Sequence, residues 1–100
     1  MSETDLYDPI KKALERCGHI VTRIHSGKVK VRGGWMQLAD PGTPDHHVMS
    51  PNGQSTWLET KTPIGKLNDA QLAWHERAKR NGHRVAVVRS PAEALAAVMA

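Results

Sequence analysis

Three residues of this chain have the types and spacing for chemistry on a charged substrate: Asp45, Glu59 and Lys61. Glu59 and Lys61 stand two apart in a segment, 55–62, that reads as a strand. Alternation along a strand puts them on one face. Pro51-Asn52-Gly53 is a turn that lets 45–49 and 55–62 pair as a hairpin, and that pairing sets Asp45 beside Glu59. Two carboxylates at close range repel unless a cation lies between them. Oxygen donors suit a hard cation, magnesium or manganese. Such an ion lowers the pKa of a bound water and polarises a phosphate oxygen. A neighbouring lysine can orient the water or stabilise charge on the phosphate. Together these are the groups that phosphodiester hydrolysis needs. A surface ion pair at a hairpin end would use the same residue types, and Pro-Asp or Glu-x-Lys alone arises by chance. Order, spacing and strand context carry the functional reading.

The flanking elements follow from periodicity and punctuation. Apolar residues at Leu6, Ile10, Ala13, Leu14 and Cys17 keep helical spacing up to Gly18. Pro9 leaves two options: a helix capped by Asp8 with Pro9 first, or a longer helix from Ser2 that kinks at Pro9. Segment 19–25 reads as a strand. Segments 28–32 and 35–38, around Gly33-Gly34, read as a basic hairpin arm spanning about 26–41. Pro41-Gly42-Thr43-Pro44 is a rigid loop. Asn68 caps a helix that runs to about Asn81-Gly82. Segment 84–89 reads as a buried strand, and Ser90-Pro91 opens a last helix. The expected fold is α/β, a mixed central sheet of four to five strands flanked by helices on both faces, in the order α-β-β-β-α-β-α.

One hundred residues make a single domain, 1–100. With no Phe and one Tyr, its core must rest on Leu, Ile, Val, Ala and Met, and a thin core of that kind favours a homodimer. A formal net charge of +4 favours a polyanionic partner. Lys28, Lys30 and Arg32 on the arm, with Arg23 and Lys66, are the expected contacts to DNA phosphates, giving salt-dependent and sequence-independent binding. Arg77, Lys79, Arg80 and Arg84 form a second basic group, read equally well as a solvated face. Trp35, on the arm, is expected at a dimer interface. The single cysteine, Cys17, excludes an internal disulfide and fits a reducing compartment. No paired Cys or His spacing matches a zinc site. The acidic, polar start is not a signal peptide, and no apolar run is long enough for a membrane span. The expected location is the bacterial cytoplasm, with the chain encoded by the cell or by a phage. No small-molecule cofactor is expected.

Gly42-Thr43-Pro44-Asp45, then Trp57-Leu58-Glu59-Thr60-Lys61-Thr62, then Gly65-Lys66-Leu67 and Gln71, resemble the virus-type replication-repair nuclease domain. That domain belongs to the restriction-endonuclease-like superfamily with the Pro-Asp…Glu-x-Lys signature. The resemblance runs from about Glu3 to Ser90. It implies metal ligation by Asp45, Glu59 and the backbone carbonyl of Thr60, with Lys61 as the catalytic lysine. It also implies a metal-proximal glutamate on the first helix, at Glu3. By geometry alone, Glu3 is equally a first-turn carboxylate favoured by the helix dipole. Gln71 shares a helix face with Leu67, Trp74 and Ala78. The resemblance directs it to the catalytic site, whereas its spacing from Asn68 makes a capping box. His46 and His47 stand where the family usually has aliphatic residues; by alternation His47 shares a face with Asp45, to approach the site or to pack beside it. Stand-alone family members of this size resemble dimeric Holliday-junction resolvases, while larger proteins carry the domain for flap and crosslink repair. The implied activity is metal-dependent cleavage of branched DNA.

Overall fold

The computed structural model describes residues 1–100. Helix α1 (Thr4–Arg16) buries Leu6, Ile10 and Leu14, one stripe at four-residue spacing. It runs through Pro9, so the longer of the two expected helices forms, with Glu3 at its N-cap. Pro9 is exposed, and the Asp5 carbonyl that loses its usual N–H partner can turn to water there.

Six strands follow: β1 (Ile20–Arg23), β2 (Lys28–Val31), β3 (Gly34–Gln37), β4 (His46–Met49), β5 (Ser55–Thr60) and, after helix α2 (Asp69–Arg80), β6 (Val85–Val88). Helix α3 (Pro91–Met99) closes the chain. The main sheet has the order β1-β4-β5-β6, while β2 and β3 form a separate ribbon. The pairs β1–β4 and β4–β5 are antiparallel, and β6 joins β5 in parallel after the α2 crossover. With the ribbon set aside, the order is α-β-β-β-α-β-α on a mixed four-stranded sheet, as the sequence predicts.

Strand alternation sorts the two faces. Leu58 packs with Val48, Val21 and Val88 against Leu6, Ile10 and Leu14 of α1 and Ala94 and Val98 of α3. Trp57 points the other way and meets Trp74 of α2 edge to face, with ring centres 5.3 Å apart. Helices α1 and α3 therefore cover one face and α2 the other. Leu58, fully buried, is the anchor that fixes Glu59 to the α2 face; truncating it to alanine costs about 2–5 kcal/mol.

Two expectations need correction. Strand β6 is half-buried rather than buried: only Val88 is fully inside, while Val85, Ala86 and Val87 are partly covered, because β6 is an edge of the sheet. The arm's turn falls at Arg32-Gly33, since Val31 pairs with Gly34. Gly33 there has φ +89°, a conformation that favours glycine, and Arg32 sits at the tip instead of in the strand. No helix is long and apolar enough to cross a membrane.

Candidate active site

The β4–β5 register pairs His46 with Leu58, so Asp45 lies opposite Glu59 one step beyond. Asp45 precedes β4, and its carboxylate turns inward. It accepts the Thr60 N–H at 3.0 Å through Oδ1 and 3.2 Å through Oδ2, and Oδ1 lies 2.9 Å from His46 Nδ1. Simple alternation pairs Asp45 with His47. The structure instead brings His46 to Asp45, because Asp45 stands outside the pleat, and stacks His47 on Trp57 at 4.5 Å. The approach to Asp45 depends on Gly42. It has φ +91°, and a Cβ there would come within 2.3 Å of the Ala70 carbonyl oxygen. Only glycine lets the 41–44 loop pass that close to the start of α2.

Glu59 and Lys61 are buried along with Asp45. Glu59 Oε1 has no hydrogen-bond partner, and neither does His75 Nε2, 3.6 Å away on α2. Burial, and then the nearby Asp45 charge, push the Glu59 carboxyl above its ordinary range; His75 and Lys61 act in the opposite direction. Lys61 Nζ lies 3.3 Å from Glu3 Oε1. The first helix thus delivers Glu3 to the site through Lys61, despite Pro9. Arg89 donates to the carbonyls of Thr62 and Gly65 and ties down the loop that leaves β5. Lys66 is exposed just beyond that loop.

Arg23 braces Asp45 from the other side. Its guanidinium donates to the Asp45 carbonyl at 3.2 Å, to the Ile24 carbonyl and to the Tyr7 hydroxyl at 3.4 Å, and it lies 4.6 Å from the centre of the Tyr7 ring. Tyr7 stands edge-on to His46 at 5.0 Å. Burial, then the Asp45 charge, raise its hydroxyl to about 12. Gln71 makes the capping box: its Oε1 accepts the Asn68 N–H and its own N–H donates to Asn68 Oδ1, each at 2.9 Å. Lys28, Lys30 and Arg32 are exposed on the separate ribbon and are not gathered around the carboxylates.

Sequence reasoning assigned no role to His75, Tyr7 or His46. His75 carried a usable signal, being four residues after Gln71, one turn along the same helix stripe. Tyr7 carried none, because its approach to Asp45 depends on how α1 crosses the sheet; His46 is the chain neighbour of Asp45 and meets it because Asp45 stands outside the pleat.

The arrangement offers two buried carboxylates, one with an unpartnered oxygen, and an ammonium held at their edge by a third carboxylate. An orphaned buried carboxylate oxygen is costly in protein, and a hard divalent cation would satisfy it. No three His, Cys, Asp or Glu side chains are grouped to hold an ion alone. Ions of the magnesium type commonly use one or two carboxylates and leave their other positions to water and substrate phosphate. The donor set fits that pattern.

The sheet order, the crossover and the carboxylates at the ends of β4 and β5 define a restriction-endonuclease-like α/β domain of nuclease type. More particularly, the chain is similar to a solved structure described as a "VRR_NUC domain", with 26% identity and a TM-score of 0.71 over 97% of this chain and 94% of that one. The resemblance carried by short motifs therefore extends to the whole fold. No family model and no curated protein matches the chain in sequence.

Proposed function

We propose that this chain is a divalent-cation-dependent endodeoxyribonuclease that hydrolyses phosphodiester bonds in branched DNA, four-way junctions foremost, as a homodimer in the bacterial cytoplasm. One observation supports this best: Asp45 and Glu59 are buried side by side, with Lys61 on the Glu59 face and a Glu59 oxygen left without a partner. The likeness to a solved VRR_NUC domain points the same way.

Asp45, Glu59 and the Thr60 carbonyl would hold magnesium or manganese, which supplies an acidified water and charge neutralisation at phosphate. Asp45 is kept in place by the Thr60 N–H and His46, so its orientation is fixed before substrate arrives. Lys61, balanced by Glu3, orients the attacking water or holds charge on the scissile phosphate. Gln71 lies at the mouth of α2, where the unused part of its amide can face substrate. Lys28, Lys30 and Arg32 track the DNA backbone, with Arg23 and Lys66 nearer the cut. A two-stranded ribbon is marginal in water by itself. Trp35 and Met36 are exposed on it, which suits contact with DNA and with a second copy.

The test is a panel of labelled four-way junction, flap, single-stranded and duplex DNA with magnesium or manganese. Cleavage of the junction in preference to duplex supports the proposal. Cleavage of the flap alone corrects the substrate, and no cleavage of any form overturns it.

A further inference from the structure

Helix α2, Trp57 of β5 and the segment Asp40-Pro41 enclose an open pocket of about 530 Å³. Trp57 and Trp74 form its aromatic corner, their rings inclined at 65° with centres 5.3 Å apart. His47 packs on Trp57 from β4 at 4.5 Å and steadies that ring. The chain has three Trp and no Phe, yet two of the three stand half-buried at this pocket instead of filling a thin core. Small residues on α2, Ala70 and Ala73, keep the space beside them free. The polar part of the lining is mixed. Arg77 only donates hydrogen bonds, the Asp40 carboxylate only accepts them, and Asn81 does both.

We propose that this pocket takes one unpaired nucleobase of the bound DNA, stacked in the Trp57–Trp74 corner, and, resting on the nuclease reading above, that this base sets the preference for branched DNA over duplex. Position supports it first. Trp57 shares a strand face with Glu59 and stands two residues before it, about 7 Å along β5. Trp74 adjoins His75, which faces Glu59 at 3.6 Å. A base on a nucleotide beside the scissile phosphate can therefore reach the pocket. Charge agrees: Arg77, Lys79 and Arg80 lie in the last turn of α2 and draw a polyanion to this face. A phosphate inside would meet the Asp40 carboxylate, whereas the edge of a base offers donors and acceptors side by side. Stacking on an aromatic ring suits any base and needs no sequence. In a duplex both faces of a base are covered by its neighbours, and drawing it out costs least where pairing is already disturbed. A branch point supplies such bases.

The test measures binding of a labelled four-way junction and a matched duplex by fluorescence anisotropy in EDTA. Single abasic sites are placed in turn at the nucleotides flanking the branch point. The proteins are wild type, Trp74→Ala and Ala73→Leu. Ala73 is exposed on α2 and leucine is a strong helix former, so Ala73→Leu fills the pocket and spares the core. For wild type, one abasic position should weaken junction binding by about 5–150-fold, the range for losing one stacked base. Both variants should weaken the intact junction by a similar factor, lose nothing further at that position, and bind duplex within about twofold of wild type. Binding that no abasic site weakens, or an Ala73→Leu protein that holds the intact junction as wild type does, overturns the proposal. So does an altered mass of Ala73→Leu in light scattering with an unaltered response to abasic sites, which gives the pocket to a second copy of the chain. Cleavage of the junction by wild type with manganese is followed in parallel. Cleavage without coupling between pocket and base keeps the nuclease and removes the pocket's role; coupling without cleavage keeps the bound base and removes the nuclease. If wild type binds no junction, both readings fall. Should Trp74→Ala fail to fold, Ala73→Leu decides alone.

Discussion

Asp45→Ala and Asp45→Asn should separate in stability while agreeing in activity. The Asp45 carboxylate holds two buried partners, the Thr60 N–H and His46 Nδ1; Thr60 and His46 are almost wholly inside. Alanine leaves both without a partner. A buried polar group left unsatisfied costs about 1–3 kcal/mol, so Asp45→Ala should lose about 2–5 kcal/mol. For a domain of this size that is a drop in Tm of about 10–25 °C, and a large part of a total stability of about 5–15 kcal/mol. Asparagine keeps one oxygen, which can accept from both the Thr60 N–H and His46 Nδ1 as Oδ1 does in wild type. It also removes the negative charge that helps raise the Glu59 carboxyl. Asp45→Asn should therefore stay within about 1 kcal/mol of wild type, and both variants should be inactive. Urea or thermal unfolding followed by circular dichroism, in buffer with EDTA, measures this. An Asp45→Ala protein as stable as wild type, or an Asp45→Asn protein as unstable as Asp45→Ala, would refute the assignment of these hydrogen bonds as what holds Asp45.

Three further outcomes are expected. A divalent cation at about 100 times its Kd should stabilise wild type by about 2.7 kcal/mol, and the Tm of Glu59→Gln should not respond; an equal rise in both places the ion elsewhere. Gln71→Ala should cost about 1 kcal/mol through the lost capping box; single-turnover cleavage at low temperature then reports whether Gln71 also acts at the site, with a loss above about tenfold as the sign that it does. Replacing Lys28, Lys30 and Arg32 together with alanine should lower the slope of log binding constant against log salt by about 2.7, three phosphate contacts at about 0.9 each; an unchanged slope removes the arm from the DNA interface.

How much of this was legible in the sequence depends on whether a feature is local. The hairpin register and the convergence of Asp45 with Glu59 follow from a two-residue period and one turn, and the structure agrees. The cap of α2 was legible as well, since Asn68 and Gln71 are three apart. Local rules left two readings of α1 around Pro9, and packing of Leu6, Ile10 and Leu14 on the sheet selects the longer helix. That selection also carries Glu3 to Lys61. Tyr7 and His75 reach the carboxylates only by tertiary contact, whereas His46 is the chain neighbour of Asp45. Alternation pointed to His47 in place of His46, because Asp45 sits just outside the strand. The half-exposed state of β6 was hidden too: a Val-rich run reads alike at the edge and at the centre of a sheet.

The central claim is that Asp45, Glu59 and Lys61 form a cation-dependent hydrolytic site. Single-turnover cleavage of a labelled four-way junction by wild type and Lys61→Met, with manganese and with EDTA, tests it most directly. Methionine keeps the buried stem of Lys61 and removes only its charge. The account predicts cleavage by wild type that EDTA abolishes, and a rate for folded Lys61→Met lower by about 100-fold or more, the typical loss when one charge-stabilising group is removed. Cleavage that persists in EDTA, or a Lys61→Met enzyme as fast as wild type, would contradict it.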